Sequence, residues 1–251
     1  MKRCDLVGWL DKTLCNGDFK EEAVNGLQVE GDDEVELLAI AVDACQATID
    51  AAVAAGAQML LVHHGLFWGH LFPWTGPSYQ LLEEAVNHRI GIYACHLPLD
   101  SQPEFGINAR WAERLSLASP APFTEAAGFP LGLCGELETT VTVAELGQLV
   151  EGFTGEGVQI RPHGPNRVGR VAVLAGSIGP GEVVAAAAAG AQALLTGEPS
   201  LATDIAGELH QVHLLFAGHT ATEIVGIESL QAEVEARFGL ETVMLHEATG
   251  L

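Results

Sequence analysis

The sequence predicts an α/β fold of two related α/β halves from an internal duplication, with a metal site in the cleft between them. Three observations lead there. Apolar runs of strand length alternate with longer segments of helical length, which is the pattern of α/β layering. That alternation occurs twice, and metal-binding side chains follow directly on the ends of the predicted strands.

In chain order, Glu36–Val42 reads as a buried strand and Cys45–Ala55 as an Ala-rich helix. Met59–Val62 is the next strand, Tyr79–His88 a helix and Ile90–Cys95 a third strand. Ser116–Gly128, rich in Ser, Pro, Ala and Gly, reads as a linker. Beyond it, Leu131–Glu138 is a strand, and Thr142-Val143-Ala144-Glu145 is a capping box opening a helix that runs to about Gly152. Val158–Arg161 is a further strand before the turn at Gly164-Pro165. Then Arg170–Leu174 is a strand, Gly181–Ala189 a helix, Ala193–Leu195 a strand, Ala202–Leu209 a helix and Val212–Phe216 a strand. A helical run covers Glu223–Arg237.

The repeat is visible in the letters. Ala54-Ala55-Gly56-Ala57-Gln58, followed by Leu60-Leu61, returns as Ala188-Ala189-Gly190-Ala191-Gln192 and Leu194-Leu195, an offset of 134. His96-x-x-x-Asp100 returns as His219-x-x-x-Glu223 at an offset of 123. The expected halves are residues 1–125, carrying the His-His and His-x-x-x-Asp motifs, and 126–251, carrying Thr-Gly-Glu and His-x-x-x-Glu.

Composition narrows the function. With 251 residues, 48% hydrophobic and 18% charged, the chain suits one large core or two modest ones. No apolar run approaches the roughly 18 residues of a membrane helix, and the N-terminus lacks a signal core, so a cytoplasmic protein is expected. The five cysteines, Cys4, Cys15, Cys45, Cys95 and Cys134, form no C-x-x-C pair and are expected as buried reduced thiols. Thirty-three acidic residues against eleven basic ones give a formal charge of −22, which argues against a nucleic-acid or anionic membrane partner.

In α/β sheets, ligands gather at the carboxyl ends of strands. Here Met59–Val62 runs into His63-His64, Ile90–Cys95 into His96 and Asp100, and Val212–Phe216 into His219 and Glu223. Imidazole with carboxylate suits zinc, manganese, iron, cobalt or nickel. Five ligands, His63, His64, Asp100, His219 and Glu223, exceed one closed structural zinc and suit two divalent ions. Adjacent histidines in a continuous strand point to opposite faces, so the strand is expected to end before them, with Gly65 making the turn. His96 is expected to hold a carboxylate or act as a general acid, and Glu198 to orient water or a ligand imidazole. Asp43 ends the first strand, where Asp also commonly begins a helix. The loop rings Phe67, Trp68, Phe72, Trp74 and Tyr79 suit packing or a lid over a flat base.

Five segments together, Asn25-Gly26-Leu27-Gln28-Val29, His63-His64-Gly65-Leu66-Phe67-Trp68, His96-Leu97-Pro98-Leu99-Asp100, Thr196-Gly197-Glu198 and Gly218-His219-x-Ala221-Thr222-Glu223, resemble the Nif-three-like family. Its members also carry the name GTP cyclohydrolase I type 2 homologue. The resemblance implies two similar α/β halves, a dinuclear metal centre on the five ligands already named, and a ring-shaped homohexamer. It also implies a hydrolase acting on a small molecule or nucleotide. A phosphoesterase is an equally sensible two-metal reaction, and a non-catalytic metal-binding ring that serves as scaffold or regulator is the alternative. The sequence departs from the family pattern after Glu198, where Pro199–Ile205 carries no histidine and Asp204 is the nearest substitute.

Overall fold

The computed structural model describes residues 1–70 and 72–246. Among the described residues the chain divides into two compact units, one formed by residues 1–99 and 227–246, the other by residues 100–226. Each is a mixed α/β unit built on one sheet.

The first unit opens with helix α1 (Arg3–Leu14), which buries Leu6, Leu10 and Leu14 at helical spacing. Its sheet comprises β1 (Gly26–Val29), β2 (Leu37–Asp43), β3 (Met59–His64), β4 (Gly91–Ala94) and β11 (Glu241–Met244), in the order β1-β4-β3-β2-β11. β11, β2, β3 and β4 run parallel, and β1 closes the edge antiparallel to β4. Parallel strands covered on both faces need nearly unbroken apolar runs, and Leu38–Val42 and Met59–Val62 supply them, every residue buried. Helices α2 (Gln46–Ala55) and α3 (Pro77–Asn87) make the crossovers, α2 placing Ile49 and Ala52 in a core with Ala39, Ala41, Leu60 and Val62. The short α4 (Leu97–Asp100) follows β4.

The second unit holds α5 (Ile107–Arg114), β5 (Ala118–Ala126), β6 (Phe129–Val141), α6 (Val143–Thr154), β7 (Gln159–Arg161) and β8 (Val168–Val173). It continues with α7 (Pro180–Ala188), β9 (Ala193–Thr196), α8 (Leu201–His210) and β10 (His213–Phe216). α9 (His219–Phe238) begins here, and from Ile227 its residues belong to the first unit. The strand order is β5-β6-β8-β9-β10-β7, with β8, β9 and β10 parallel and the rest antiparallel. The capping box on α6 forms as expected, Thr142 Oγ1 accepting from the Glu145 amide while Glu145 accepts from the Thr142 amide.

The duplicated letters perform duplicated jobs. Gly56 and Gly190 both take left-handed backbone, at φ +76° and +81°, where their helices end. Two residues on, Gln58 Oε1 accepts from the amides of Glu36 and Leu37, and Gln192 Oε1 accepts from those of Gly169 and Arg170. Each glutamine thereby closes the start of the preceding parallel strand. β2-α2-β3-α3-β4 and β8-α7-β9-α8-β10 share one plan.

Several expectations need correction. The stretch read as a linker, Ser116–Gly128, is mostly the edge strand β5; an edge tolerates Pro120 and Pro122 because one side of its backbone needs no ladder donor. β3 does not stop at Val62 but runs through both histidines, with His64 paired to Asp43. Glu223 lies one turn inside α9, which His219 opens. Of the cysteines, Cys95 and Cys134 are buried but Cys4 and Cys15 are exposed, and none is in a disulfide.

Candidate metal centre

The first unit gathers three imidazoles. His63 and His64 stand at the end of β3, and His96 follows the end of β4, the neighbouring parallel strand. Their ring centroids lie 4.5 Å (His63–His64), 5.1 Å (His63–His96) and 5.5 Å (His64–His96) apart. One ring nitrogen from each falls within 4.8 Å of the others. Neighbouring side chains of a strand leave it on opposite faces, so this convergence works only at the strand's end, where both rings can turn toward the same opening.

Each ring is held through Nδ1. His63 Nδ1 meets the carbonyl of Cys95 at 2.9 Å, and a carbonyl can only accept, so Nδ1 carries a proton and donates it. His64 Nδ1 meets Asp43 Oδ1 at 2.7 Å. His96 Nδ1 meets Glu21 Oε2, a carboxylate almost entirely shielded from water. Glu21 Oε1 also accepts from the Leu97 amide and from Asn25 Nδ2, while Asn25 Oδ1 accepts from the His96 amide.

The loop after the histidines is fixed by Gln28, whose Oε1 accepts from the Leu66 amide at 2.7 Å. Gly65 is required because a Cβ there would sit 2.4 Å from Gln28 Nε2 and 2.6 Å from Ala94 Cβ. Beyond Gly65, Trp68 lies 5.2 Å from the His96 ring, and Trp74 packs on Phe67 and Phe72. The aromatic loop is therefore a local ring cluster with one member against the histidines.

The second unit gathers one imidazole and two carboxylates. His219 opens α9 and Glu223 follows one turn later on the same face, so His219 Nε2 and Glu223 Oε1 meet at 3.0 Å. His219 Nδ1 meets Glu198 Oε1 at 2.7 Å. With a carboxylate at each nitrogen, the ring holds both protons. The Glu223 hydrogen bond leads in pushing its pKa from 6.5 up to about 9, against the opposing effect of burial. Gly176, at φ +70°, faces this pair closely; a Cβ there would lie 2.4 Å from Glu223 Oε1. Its carbonyl accepts from Thr196 Oγ1 and the Gly197 amide, and its own amide donates to Thr222 Oγ1. Asp100 ends α4, its carbonyl accepting from Asn108 Nδ2, whose Oδ1 accepts from the Ala175 amide.

The chain matches the family described as Duf34/NIF3 (NGG1p interacting factor 3) over residues 1–249. It belongs to the DUF34/NIF3 family. A protein of Deinococcus radiodurans named GTP cyclohydrolase 1 type 2 homolog is 38% identical over 249 residues, covering 99% of this chain and 94% of that protein. A Pyrococcus abyssi protein of the same name is 36% identical, with all of both chains covered. Among solved structures, a Thermus thermophilus protein superposes with TM-score 0.91 at 34% identity, and ybgI, described as of unknown function, with TM-score 0.93 at 33%; both cover each chain completely.

Within this DUF34/NIF3 chain, the donor sets fit divalent metal. Three imidazoles are each engaged through Nδ1, and carboxylates hold the back of His64, His96 and His219 as they do behind metal-bound histidines. Of the residues singled out from sequence, His63, His64 and His96 come together in the first unit, and Glu198, His219 and Glu223 in the second; Asp100 lies in the second. Asp43 proves to be the acceptor behind His64 rather than a helix start, because Cys45 and Thr48 form the capping box of α2. Glu21 and Gly176 were not anticipated, and Asn25 and Gln28 only as part of a motif. Asp204 accepts from His163 and pairs with Arg161. No helix among the described residues is long and apolar enough to cross a membrane.

Proposed function

We propose that this chain binds two divalent metal ions through His63, His64, Asp100, His219 and Glu223 and is a metal-dependent hydrolase. The observation that carries the reading is the set of acceptors on Nδ1 of His63, His64 and His219, namely Cys95 O, Asp43 and Glu198, which orients each ring for ligation through Nε2. In His219 the Nε2 proton shared with Glu223 would give way to an ion held by both side chains.

Bound ions supply a water of lowered pKa and polarise the bond to be cleaved; zinc, manganese, iron, cobalt and nickel all suit these donors. The chain's residues position that chemistry. Asp43 and Glu198 keep the imidazoles of His64 and His219 in one orientation, and Glu198 thus acts through His219 rather than on substrate. Asp100 and Glu223 would supply the carboxylate oxygens to the ions. The curated relatives' name, GTP cyclohydrolase 1 type 2 homolog, directs the substrate search to GTP, whose purine ring would be opened by water; phosphoesters are the second class to try. The homohexamer implied by the family resemblance belongs to the same proposal.

The test is metal analysis of the purified chain followed by a panel of GTP and phosphoesters on the wild type and Asp100→Asn. Two ions per chain and turnover that Asp100→Asn abolishes are expected. A protein fully loaded with metal yet inert toward the panel would reject hydrolysis.

A further inference from the structure

We infer that the outer face of α8 is a self-association surface, on which two copies of this chain meet antiparallel about a two-fold axis at Ile205. The inference names one contact within the homohexamer proposed above and rests on that reading only for the number of copies. Leu201, Ile205 and Leu209 follow one another at i, i+4 and i+8 and form a single ridge along the helix, exposed to 77%, 49% and 74%. The inner side of α8 is small or apolar as well, with Thr203, Ala206 and Gly207 buried. Ala206 lies in the unit's core, and Gly207 faces Leu214 of β10. A surface helix ordinarily turns a polar face outward, and one that is apolar on both sides buries both. The crossover helix α7, packed beside α8, adds the exposed Val184.

The occupant is a second copy because the ridge is its own complement. Leu, Ile and Leu at equal spacing read the same in both directions, so a two-fold axis at Ile205 sets Leu201 on the other copy's Leu209 and Ile205 on Ile205. Two ridges of this spacing interdigitate with the helix axes crossing at about −50°, the commonest arrangement in globular proteins. Charge agrees with that pairing. Each copy carries −22, so a contact between copies needs a face on which carboxylates do not meet. Of the three acidic residues in α7 and α8, Glu182 accepts from the Gly179 amide, and Asp204 is engaged by His163 and Arg161 of the same unit. The third, Glu208, falls opposite Ala202 under the two-fold axis, whereas a parallel arrangement would set Glu208 beside Glu208. The helix is also fixed before any contact, since Ser200 Oγ caps it by accepting from the Thr203 amide.

The experiment follows assembly of the full chain by analytical ultracentrifugation across protein concentration, at low and at high salt. The proteins are wild type, Ile205→Glu, Leu209→Glu, Leu201→Lys, and the double variant Leu201→Lys with Leu209→Glu. Wild type should associate, and more tightly as salt rises, because screening weakens the repulsion between acidic copies. Ile205→Glu sets two carboxylates on the axis and should halve the assembly, raising the dissociation constant of this contact by roughly 100-fold or more. Leu209→Glu and Leu201→Lys should each weaken it too. Combining them should restore association, because the lysine at position 201 of one copy then meets the glutamate at position 209 of the other. Circular dichroism of each variant verifies folding, and these outward side chains leave the core untouched.

A hexamer unchanged by Ile205→Glu and Leu209→Glu overturns the inference and leaves the homohexamer reading standing. So does a double variant that stays as dissociated as its two single variants, since the antiparallel pairing requires the rescue. A wild type that remains monomeric at every concentration removes both. A dimer that Ile205→Glu splits upholds the inference and removes the hexamer, whereas a hexamer that it splits into trimers upholds both.

Discussion

The two candidate metal clusters are both built on histidines held from behind but differ in what faces the imidazoles. In the first unit, three imidazoles sit at or just beyond strand ends, each held through Nδ1. In the second, His219 lies between two carboxylates on the first turn of a helix and carries a proton on each nitrogen. A cation ligated by Nε2 of His219 would have to expel the proton that Glu223 holds there. The backbone near each cluster differs as well. Gly65 turns the chain away from the histidines against Gln28, while Gly176 brings a left-handed backbone against Glu223.

The largest expected effect breaks the second cluster at that backbone. Gly176→Ala imposes a left-handed conformation on a residue with a Cβ and brings that Cβ against the buried Glu223 carboxylate. Strain of this kind costs about 1–3 kcal/mol before any clash is added. Urea unfolding of metal-free Gly176→Ala should thus show a loss of at least about 2 kcal/mol. A stability equal to wild type would mean that Glu223 is not packed on Gly176.

Next come the carboxylates behind the rings. Asp43→Ala and Glu198→Ala should each weaken binding of one ion by about 10–100-fold, measured by competition with a chelator, and Asp43→Asn should recover much of it because the amide oxygen still accepts from Nδ1. If the two clusters work independently, each variant weakens a different equivalent of metal. Equal weakening of both equivalents would show the clusters to be coupled.

A smaller effect separates the clusters by pH. In the metal-free chain the folded pKa of His219 is raised to about 9 above its ordinary 6.5. The stability that its charged ring contributes is complete below about pH 6.5, and it is lost as pH rises through 9. A quarter of the side chain meets water, so screening reduces the size of the loss. Thermal unfolding between pH 6 and 10 should therefore fall more steeply for wild type than for His219→Gln. Parallel curves would indicate that the ring is not held between two carboxylates.

Most of this architecture is legible in sequence where local pattern and structure coincide. Parallel strands such as Leu38–Val42 and Met59–Val62 announce themselves because burial on both faces leaves no room for polar residues. His63, His64, His219 and Glu223 stand out for the opposite reason, being polar groups directly after such runs. What stays hidden depends on distance along the chain. Glu21 sits in an ordinary charged stretch, and its partner His96 is 75 residues away. Asp43 looks like a helix start until the structure shows Thr48 and Cys45 filling that role. β5 escapes recognition because its prolines suit an edge strand and a linker equally well.

The smallest effect tests the duplication itself. Gln58 and Gln192 occupy equivalent places, and each spends its side-chain oxygen on two backbone amides at the start of the preceding parallel strand. The distances are 2.9 and 2.9 Å for Gln58, and 2.6 and 3.2 Å for Gln192. Replacing either by Ala leaves two amides without that acceptor. Water takes over part of the role, since Glu36, Leu37, Gly169 and Arg170 are only partly buried or exposed. Each substitution should thus cost about 1 kcal/mol, close to the net value of a single hydrogen bond rather than of two buried ones. Matching losses in Gln58→Ala and Gln192→Ala, measured by chemical unfolding, would show that both copies of the motif still perform the same structural task. A loss confined to one would show that the repeated letters have outlived their shared purpose in the other, as has happened at the strand ends, where His64 stands in one copy and Glu198 in the equivalent place of the other.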